Sequence, residues 1–439
     1  MFRKLFRPLL NLAAAAVFFA SCSKDGGITS VEVSSVTIMN PASALPVGQP
    51  YKLSVKVMPL DVNEPYSLVF SSSKEDVAKV DNQGNISTLI PGQTEIKVFV
   101  REKPEINSSF TLTVHQVYLA PENKKFQKVA YFPSYRTLTA DGIPDSKLKM
   151  VDVACFAFAS INADYTLTVQ EPGKLSALVA RCKANGVKVL ISLNGTHSTY
   201  AAMTSSAASR ATFINSLRNI VNTYNLDGVD NDWEYPKTSD NSSTGNTALM
   251  RELSIWLHDP AVSKLLTMAI TPGKYAGSIR DGIQDECFNY VDWFNVMVYD
   301  DFSNDTPGIN HSPFALLQTA YNYWINTRNL PRYKFVCGTP VYGRSSGLGK
   351  GIEMSYITIL NNGGSPDANE AAITSPSYNG GATFTIYYNG RPLVRQKTRF
   401  CIDQKLGGIM FWEAGQDSQD DRSLIKAAYD EVGGYSDIR

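Results

Sequence analysis

Between residues 126 and 437 the sequence carries eight short runs rich in apolar and β-branched residues, separated by stretches of helical period. They are Val129 to Phe132, Met150 to Phe158, Val187 to Leu193, Gly228 to Glu234, Leu265 to Ile270, Trp293 to Tyr299, Phe335 to Thr339 and Gly408 to Trp412. Near-continuous apolar runs suit strands buried on both faces, and their alternation with helices predicts a parallel sheet of the α/β class. Eight such strands over roughly 310 residues fit a (β/α)8 TIM barrel with insertions, whose usual size is about 250 residues. A doubly wound sheet is the alternative, but no glycine-rich phosphate loop follows the first run.

The preceding segment has another rhythm. Val31 to Ile38, Tyr51 to Met58, Leu68 to Ser71, Thr94 to Val100 and Phe110 to Val114 alternate or run β-branched, with turn signals at Pro46-Val-Gly48, Asp81-Asn-Gln-Gly84 and Pro91-Gly92. This spacing predicts a small all-β sandwich over residues 31–116, followed by a polar linker at 117–125 that includes Pro121-Glu-Asn-Lys-Lys125. The stretch Ser71 to Val80, with Gln83-Gly-Asn-Ile86 and Pro91 to Ile96, resembles bacterial group-2 immunoglobulin-like domains. That resemblance implies a spacer, with sugar binding as the alternative.

Residues 1–21 combine a basic start (Arg3, Lys4, Arg7) with an apolar stretch from Leu9 to Ala20, the pattern of a secretory signal and too short for a permanent span. It ends in Phe19-Ala20-Ser21-Cys22, which resembles the lipobox of bacterial lipoproteins. The resemblance implies a lipid on Cys22, a tether over 22–30 and a membrane-anchored protein, expected at the outer membrane and facing the cell surface. The other five cysteines are scattered without a C-x-x-C pair, and none of the four histidines stands at ligand spacing to another. Neither a disulfide framework nor a metal centre is expected. With 41 basic and 41 acidic residues the chain has no nucleic-acid footprint.

The fourth run ends in Asp227-Gly-Val-Asp230-Asn-Asp232-Trp-Glu234-Tyr-Pro236. Spaced two apart, Asp230, Asp232 and Glu234 point to one face of a strand, with neighbours ~7 Å apart. Like-charge repulsion in a poorly solvated site then keeps one carboxyl protonated near neutral pH, which is what a general acid requires. A calcium loop of EF-hand type is excluded because the glycine comes too early. In a barrel these acids lie at the C-terminal ends of the strands, where active sites of that fold are built.

The run is similar to the signature of family-18 glycoside hydrolases, which are chitinases and endo-β-N-acetylglucosaminidases. Met297-Val-Tyr299-Asp300, Gly338-Thr-Pro-Val-Tyr342-Gly-Arg344 and Gly407-Gly-Ile-Met-Phe-Trp412 resemble three further motifs of that family, in its order. The resemblance covers roughly residues 126 to 437. It implies substrate-assisted hydrolysis of N-acetylglucosamine-containing glycans, without cofactor, through an oxazolinium intermediate. Glu234 is then the proton donor, Asp232 the clamp on the substrate acetamido group, Asp230 its partner in sharing a proton, and Tyr299 a donor to the acetamido oxygen. Trp412 is the floor under the sugar, and Tyr131, Phe156, Tyr235, Met297, Asp300 and Arg344 are further substrate-contacting candidates.

Two positions depart from the family pattern. In Ser192-Leu-Asn194-Gly195 the side chain of Asn194 stands where a glycine is usual, reshaping the subsite it forms with Gly195. Asn231 replaces an apolar residue and by alternation faces the helix layer, where its amide needs a partner. Trp233-Glu-Tyr-Pro236 looks like chitinases, whereas only about 60 residues remain for an insertion between the seventh and eighth strands, giving a shallower groove. Substrate therefore stays open between chitin or chitooligosaccharides and the chitobiose core of N-glycans. A non-catalytic glycan-binding protein is the reading from another class, opposed by the presence of Glu234.

Overall fold

The structure is a computed structural model that describes residues 30–123, 125–349 and 351–433. The expected signal segment, residues 1–21, and the expected lipidation site Cys22 lie outside these residues. The chain divides between His115 and Gln116 into two units.

The first unit is a sandwich. Ala44–Pro46, Lys103–His115, Gly92–Val100 and Leu68–Ser72 form one sheet, Pro50–Lys52, Asn85–Thr88 and Ala78–Val80 a second, and Ser35–Ile38 pairs with Val55–Met58. Ile86, Ile96, Val98 and Leu112 are fully buried in its core. The expected strand Tyr51 to Met58 is broken in two, because Asn40 captures the backbone at the break. Its amide nitrogen donates to Lys52 O (2.9 Å), and its amide oxygen accepts from Ser54 N (2.6 Å). Three strands of three or four residues, at Ala44, Ala78 and Asn85, were too short to show an alternation. The Asp81 turn is held by its own carboxylate, which accepts from Gln83 N and Asn85 N, while Gly84 takes the positive φ of +78°.

The second unit is a closed barrel of eight parallel strands: β1 Gln127–Pro133, β2 Val153–Ile161, β3 Lys188–Asn194, β4 Gly228–Asn231, β5 Leu265–Ile270, β6 Trp293–Val296, β7 Phe335–Pro340 and β8 Gly408–Trp412. Each pairs with the next, and β8 closes on β1. Side chains alternate between two apolar layers. Val129, Tyr131, Cys155, Leu190, Trp293 and Met410 fill the barrel, whereas Ala130, Phe132, Phe156, Ile191 and Val229 pack under the helices. All five cysteines in the described residues are free and buried.

Between β7 and β8 the chain builds a four-stranded antiparallel sheet in the order Glu353–Ser355, Tyr342–Ser345, Phe384–Tyr387, Glu370–Ile373. This small insertion projects Tyr342, Arg344 and Glu353 towards the barrel mouth.

Candidate active site

The fourth strand supplies the core of the site. Asp227 stands at its base, outside the site, where its carboxylate accepts from Val189 N (2.8 Å) and helps fix the β3–β4 register. β4 ends at Asn231, three residues short of the expected Glu234, but Asp232 N still donates to Leu193 O (3.2 Å) and the alternation persists. Asn231 and Trp233 therefore turn outward and are fully buried. Trp233 stacks on Tyr200 with ring centroids 4.7 Å apart, and the Asn231 amide oxygen accepts from Tyr200 Oη (3.1 Å) while its nitrogen donates to Asn246 (3.5 Å). The amide that alternation placed in the helix layer thus finds its partners on two helices, His197–Thr204 and Ser242–Leu257.

Asp230 points inward beneath the site and is fully buried. The registers β3–β4 and β4–β5 set Ser192 and Thr267 level with it on either side. Its Oδ2 accepts from Tyr131 Oη and Ser192 Oγ (both 2.7 Å), and its Oδ1 from Thr267 Oγ1 (2.5 Å) and Asn295 Nδ2 (3.1 Å). Trp293 Nε1 donates to Asn295 Oδ1 (3.2 Å) and so orients that amide. Burial raises the Asp230 pKa, and the four donors oppose the rise.

Asp232 is treated differently. Its Oδ1 is buried without a hydrogen-bond partner. Burial first, then the charges of Glu234 and Asp230, push its pKa well above the ordinary carboxylate range. Since both oxygens of Asp230 are taken by other donors, the two carboxyls influence each other here through charge.

Asp232 and Glu234 open into a cavity of about 420 Å3, within the usual ~300–1,000 Å3 of small-molecule sites. Glu234 reaches its mouth. Loss of water raises the Glu234 pKa, the Tyr235 hydroxyl lowers it, and the charge of Asp300 raises it again. Trp412 forms an aromatic floor with Tyr131 and Phe158, at centroid distances of 5.2 and 6.0 Å. Just after Trp412, buried Glu413 accepts from Arg136 Nε (2.7 Å) and Gly415 N (2.8 Å), which anchors this corner.

The opposite wall is an ionic cluster. Asp300 Oδ1 accepts from Tyr342 Oη (2.7 Å) and Arg344 Nε (3.0 Å), and Arg344 also pairs with Glu353 (3.1 Å). Burial would raise the Asp300 pKa, but His311, Arg344 and Tyr342 hold it well below the usual range. His311 Nδ1 lies 3.3 Å from Asp300 N and 3.5 Å from Asp300 Oδ1, and its Nε2 faces Tyr342 O at 3.3 Å.

Of the residues singled out from sequence, Glu234, Asp232, Tyr299, Trp412, Met297, Asp300, Tyr131, Tyr235, Asn194, Gly195 and Arg344 line the cavity, and Asp230 lies under it. Asn194 Oδ1 accepts from Ser160 Oγ (2.8 Å), which holds its side chain to one side. Phe156 is the exception. It is fully buried in the layer beneath the helices, because inward-facing Cys155 and Ala157 flank it. A register shift between Ala157 and Ala159 brings Phe158 into the cavity instead. Pro272 and Glu353 also line it without having been anticipated. Glu353 comes from the insertion, where no local pattern marks it.

Comparison with known proteins places these features. The model of the glycosyl hydrolases family 18 matches residues 127–417, and that of the bacterial Ig-like domain (group 2) matches residues 32–107. The chain is 28% identical to Endochitinase 1 of Metarhizium robertsii over 57% of this chain and 67% of that protein. It is 26% identical to Nod factor hydrolase protein 1 of Medicago truncatula over 60% and 80%. Among solved structures, the GH18 chitinase ChiB from the chitin utilization locus of Flavobacterium johnsoniae superposes with a TM-score of 0.59 at 26% identity, covering 70% of this chain and 94% of that one.

Proposed function

The chain belongs to family 18 of the glycosyl hydrolases, and from that premise we propose that it cleaves β-1,4 linkages of chitin or chitooligosaccharides with retention of configuration. The observation that carries this reading is Asp232, a half-buried carboxyl with one buried, unpartnered oxygen beside the general-acid candidate. Such an oxygen calls for a donor from the ligand, and an acetamido N–H is one.

In the proposed reaction Glu234 gives its proton to the glycosidic oxygen as the bond from that oxygen to the anomeric carbon breaks. The carbonyl oxygen of the substrate's own 2-acetamido group bonds to that carbon from the other side, forming the oxazolinium ring. Asp232 holds the acetamido N–H and stabilises the positive charge that grows there. Tyr299 donates to the acetamido oxygen and fixes its angle, while Trp412 stacks under the sugar. Water then attacks the anomeric carbon, Glu234 takes its proton, and the ring reopens to the acetamide.

The Trp233-Glu234-Tyr-Pro236 tail and the names of the curated relatives favour chitin-type substrates over N-glycan cores. Digests of chitooligosaccharides and of a high-mannose glycoprotein, read by mass spectrometry, test this directly. Chitobiose release is expected from the first, and exclusive cleavage of the second would overturn the substrate assignment. Glu234→Gln is expected to abolish turnover while keeping oligosaccharide binding; unchanged turnover would sink the mechanism. The lipobox-like Cys22 supports a lipid-anchored enzyme, which Cys22→Ala would release from the membrane fraction.

A further inference from the structure

The third strand ends in a side chain that the proposed reaction leaves unused. Asn194 faces inward at the end of β3, as Ser192 does two residues earlier, and it lines the cavity. The β3–β4 register pairs Leu193 with Asn231, which sets Asn194 level with Asp232 on the adjoining strand, ~4.8 Å away across the sheet. A ligand group held by Asp232 therefore lies within reach of the Asn194 amide.

One half of that amide is committed to the protein. Its Oδ1 accepts from Ser160 Oγ (2.8 Å), and Ser160 Oγ in turn accepts from Gln170 Nε2 (2.7 Å). Gln170 Oε1 accepts from Ser134 Oγ (3.2 Å). A serine hydroxyl carries one proton, so a Ser160 that accepts from Gln170 gives its own to Asn194. The backbone builds this relay. The register shift in β2 brings Ser160 level with Asn194, Gln170 N donates to Phe158 O (3.0 Å), and Ser134 N donates to Ala157 O (2.7 Å). The other half of the amide, Nδ2, has no acceptor among the described residues. With its oxygen tied back to Ser160, Asn194 presents N–H donors to the cavity beside the unpartnered oxygen of Asp232.

In the proposed reaction Asp232 holds the acetamido group on C2 of the sugar, and C1 faces Glu234. The other ring neighbour of C2 is C3, whose hydroxyl oxygen is an acceptor. We propose that Asn194 is a specificity-determining residue whose amide donates to this 3-hydroxyl, with Ser160 and Gln170 as the positioning residues that keep the donor side of the amide towards the sugar. This rests on the proposed role of Asp232 and deepens it. The preferred substrate carries a free 3-hydroxyl on the clamped sugar, which excludes 3-O-ethers such as the lactyl sugars of peptidoglycan from that position.

The test measures steady-state kinetics of the full chain on an aryl chitobioside and on its analogues that are 3-deoxy or 3-O-methyl in the sugar joined to the aryl group. For the parent, the 3-deoxy change is expected to lower kcat/KM about fivefold, mainly through KM, the size of one neutral hydrogen bond. Asn194→Ala is expected to lose about fivefold on the unmodified substrate and less than about twofold more on the 3-deoxy one, because both changes remove the same bond. Losses that multiply independently would overturn the contact. Asn194→Asp puts an acceptor where the donor stood and is expected to do no better than alanine; parent-like activity would overturn the donor assignment. Ser160→Ala is expected to weaken only the unmodified substrate, and Ser160→Thr, which keeps the hydroxyl, to restore it. Equal losses on both substrates would refute the positioning role. The 3-O-methyl analogue is expected to be cut at least about tenfold more slowly than the unmodified substrate by the parent, and equal rates would overturn the exclusion. Binding of chitotetraose to Glu234→Gln, with and without Asn194→Ala, is measured by calorimetry. Weaker binding on removing the amide, with no turnover by the parent enzyme, supports the donor and refutes the reaction; unchanged affinity, or no binding at all, refutes the donor.

Discussion

Asp230 and Asp232 are two residues apart and point the same way, yet the layer beneath the cavity and the cavity itself treat a carboxyl in opposite fashion. Below, four donors from β1, β3, β5 and β6 occupy both oxygens of Asp230. Above, Asp232 keeps a buried oxygen unpartnered and faces two other carboxyls. A buried polar group left unmet is costly, so a fold retains one where something else supplies the missing bond. The lower layer is finished by the protein, and the upper one is left for a ligand to finish.

The sharpest way to break this contrast is to delete each acid in turn. Asp232→Ala is expected to lower kcat by about 10²–10³-fold, the usual size of losing one transition-state partner, with no fall in Tm. A fall in Tm instead, with kcat intact, would make Asp232 structural. Asp230→Ala should show the reverse emphasis. It strands three hydroxyls and an amide in the barrel interior, a loss of about 3 kcal/mol that calorimetry would read as a Tm lower by about 5 °C. A variant as stable as the parent would refute the claim that these donors exist to hold Asp230.

The contrast also explains what was legible in the sequence. Strands β5 and β8 begin and end where their apolar runs do, because both are buried on each face. The acid ladder was readable because its period of two survives past the end of β4. Ser192, Thr267 and Asn295 were harder to find. Each is a single polar residue within an apolar strand, and only the register between strands brings them to Asp230. An inward-facing polar residue in such a strand is the signal that would have marked them. Phe158 displaced Phe156 through a one-residue register shift, which a strict alternation has no means of showing. Glu353 depends on how the insertion folds back, a wholly nonlocal fact.

The ionic wall offers an intermediate case that sharpens the comparison. Asp300 is partnered like Asp230 but its side chain is 40% exposed. Its folded pKa lies below its unfolded value, so its contribution to stability is present above the ordinary carboxylate pKa of about 4 and fades as pH falls below it. Asp300→Asn should therefore lower Tm at pH 7, with a difference that shrinks as pH falls below about 4 and is lost only as pH passes through the depressed folded pKa. Solvent screening limits the effect to about 1 kcal/mol. A difference that grew on acidification would show that the hydrogen bonds, and not the charge, carry the contribution.

The smallest expected effect tests the sign of the upper layer. Asp232 has a folded pKa above its unfolded value, because burial and two neighbouring carboxylates disfavour its charge. Between the two values the folded protein holds a proton that the unfolded chain has released, so this group lowers stability as pH rises through that window and costs nothing below about pH 4. Asp232→Asn mimics the protonated acid. It should match the parent in Tm at pH 4 and exceed it at pH 8 by about 1–2 °C, read by differential scanning calorimetry. The same substitution at Asp230, whose oxygens need four donors, should destabilise at both pH values, since an amide presents one acceptor where a carboxylate presents two. If both variants moved Tm in the same direction at pH 8, the division between a completed layer and an incomplete one would fail.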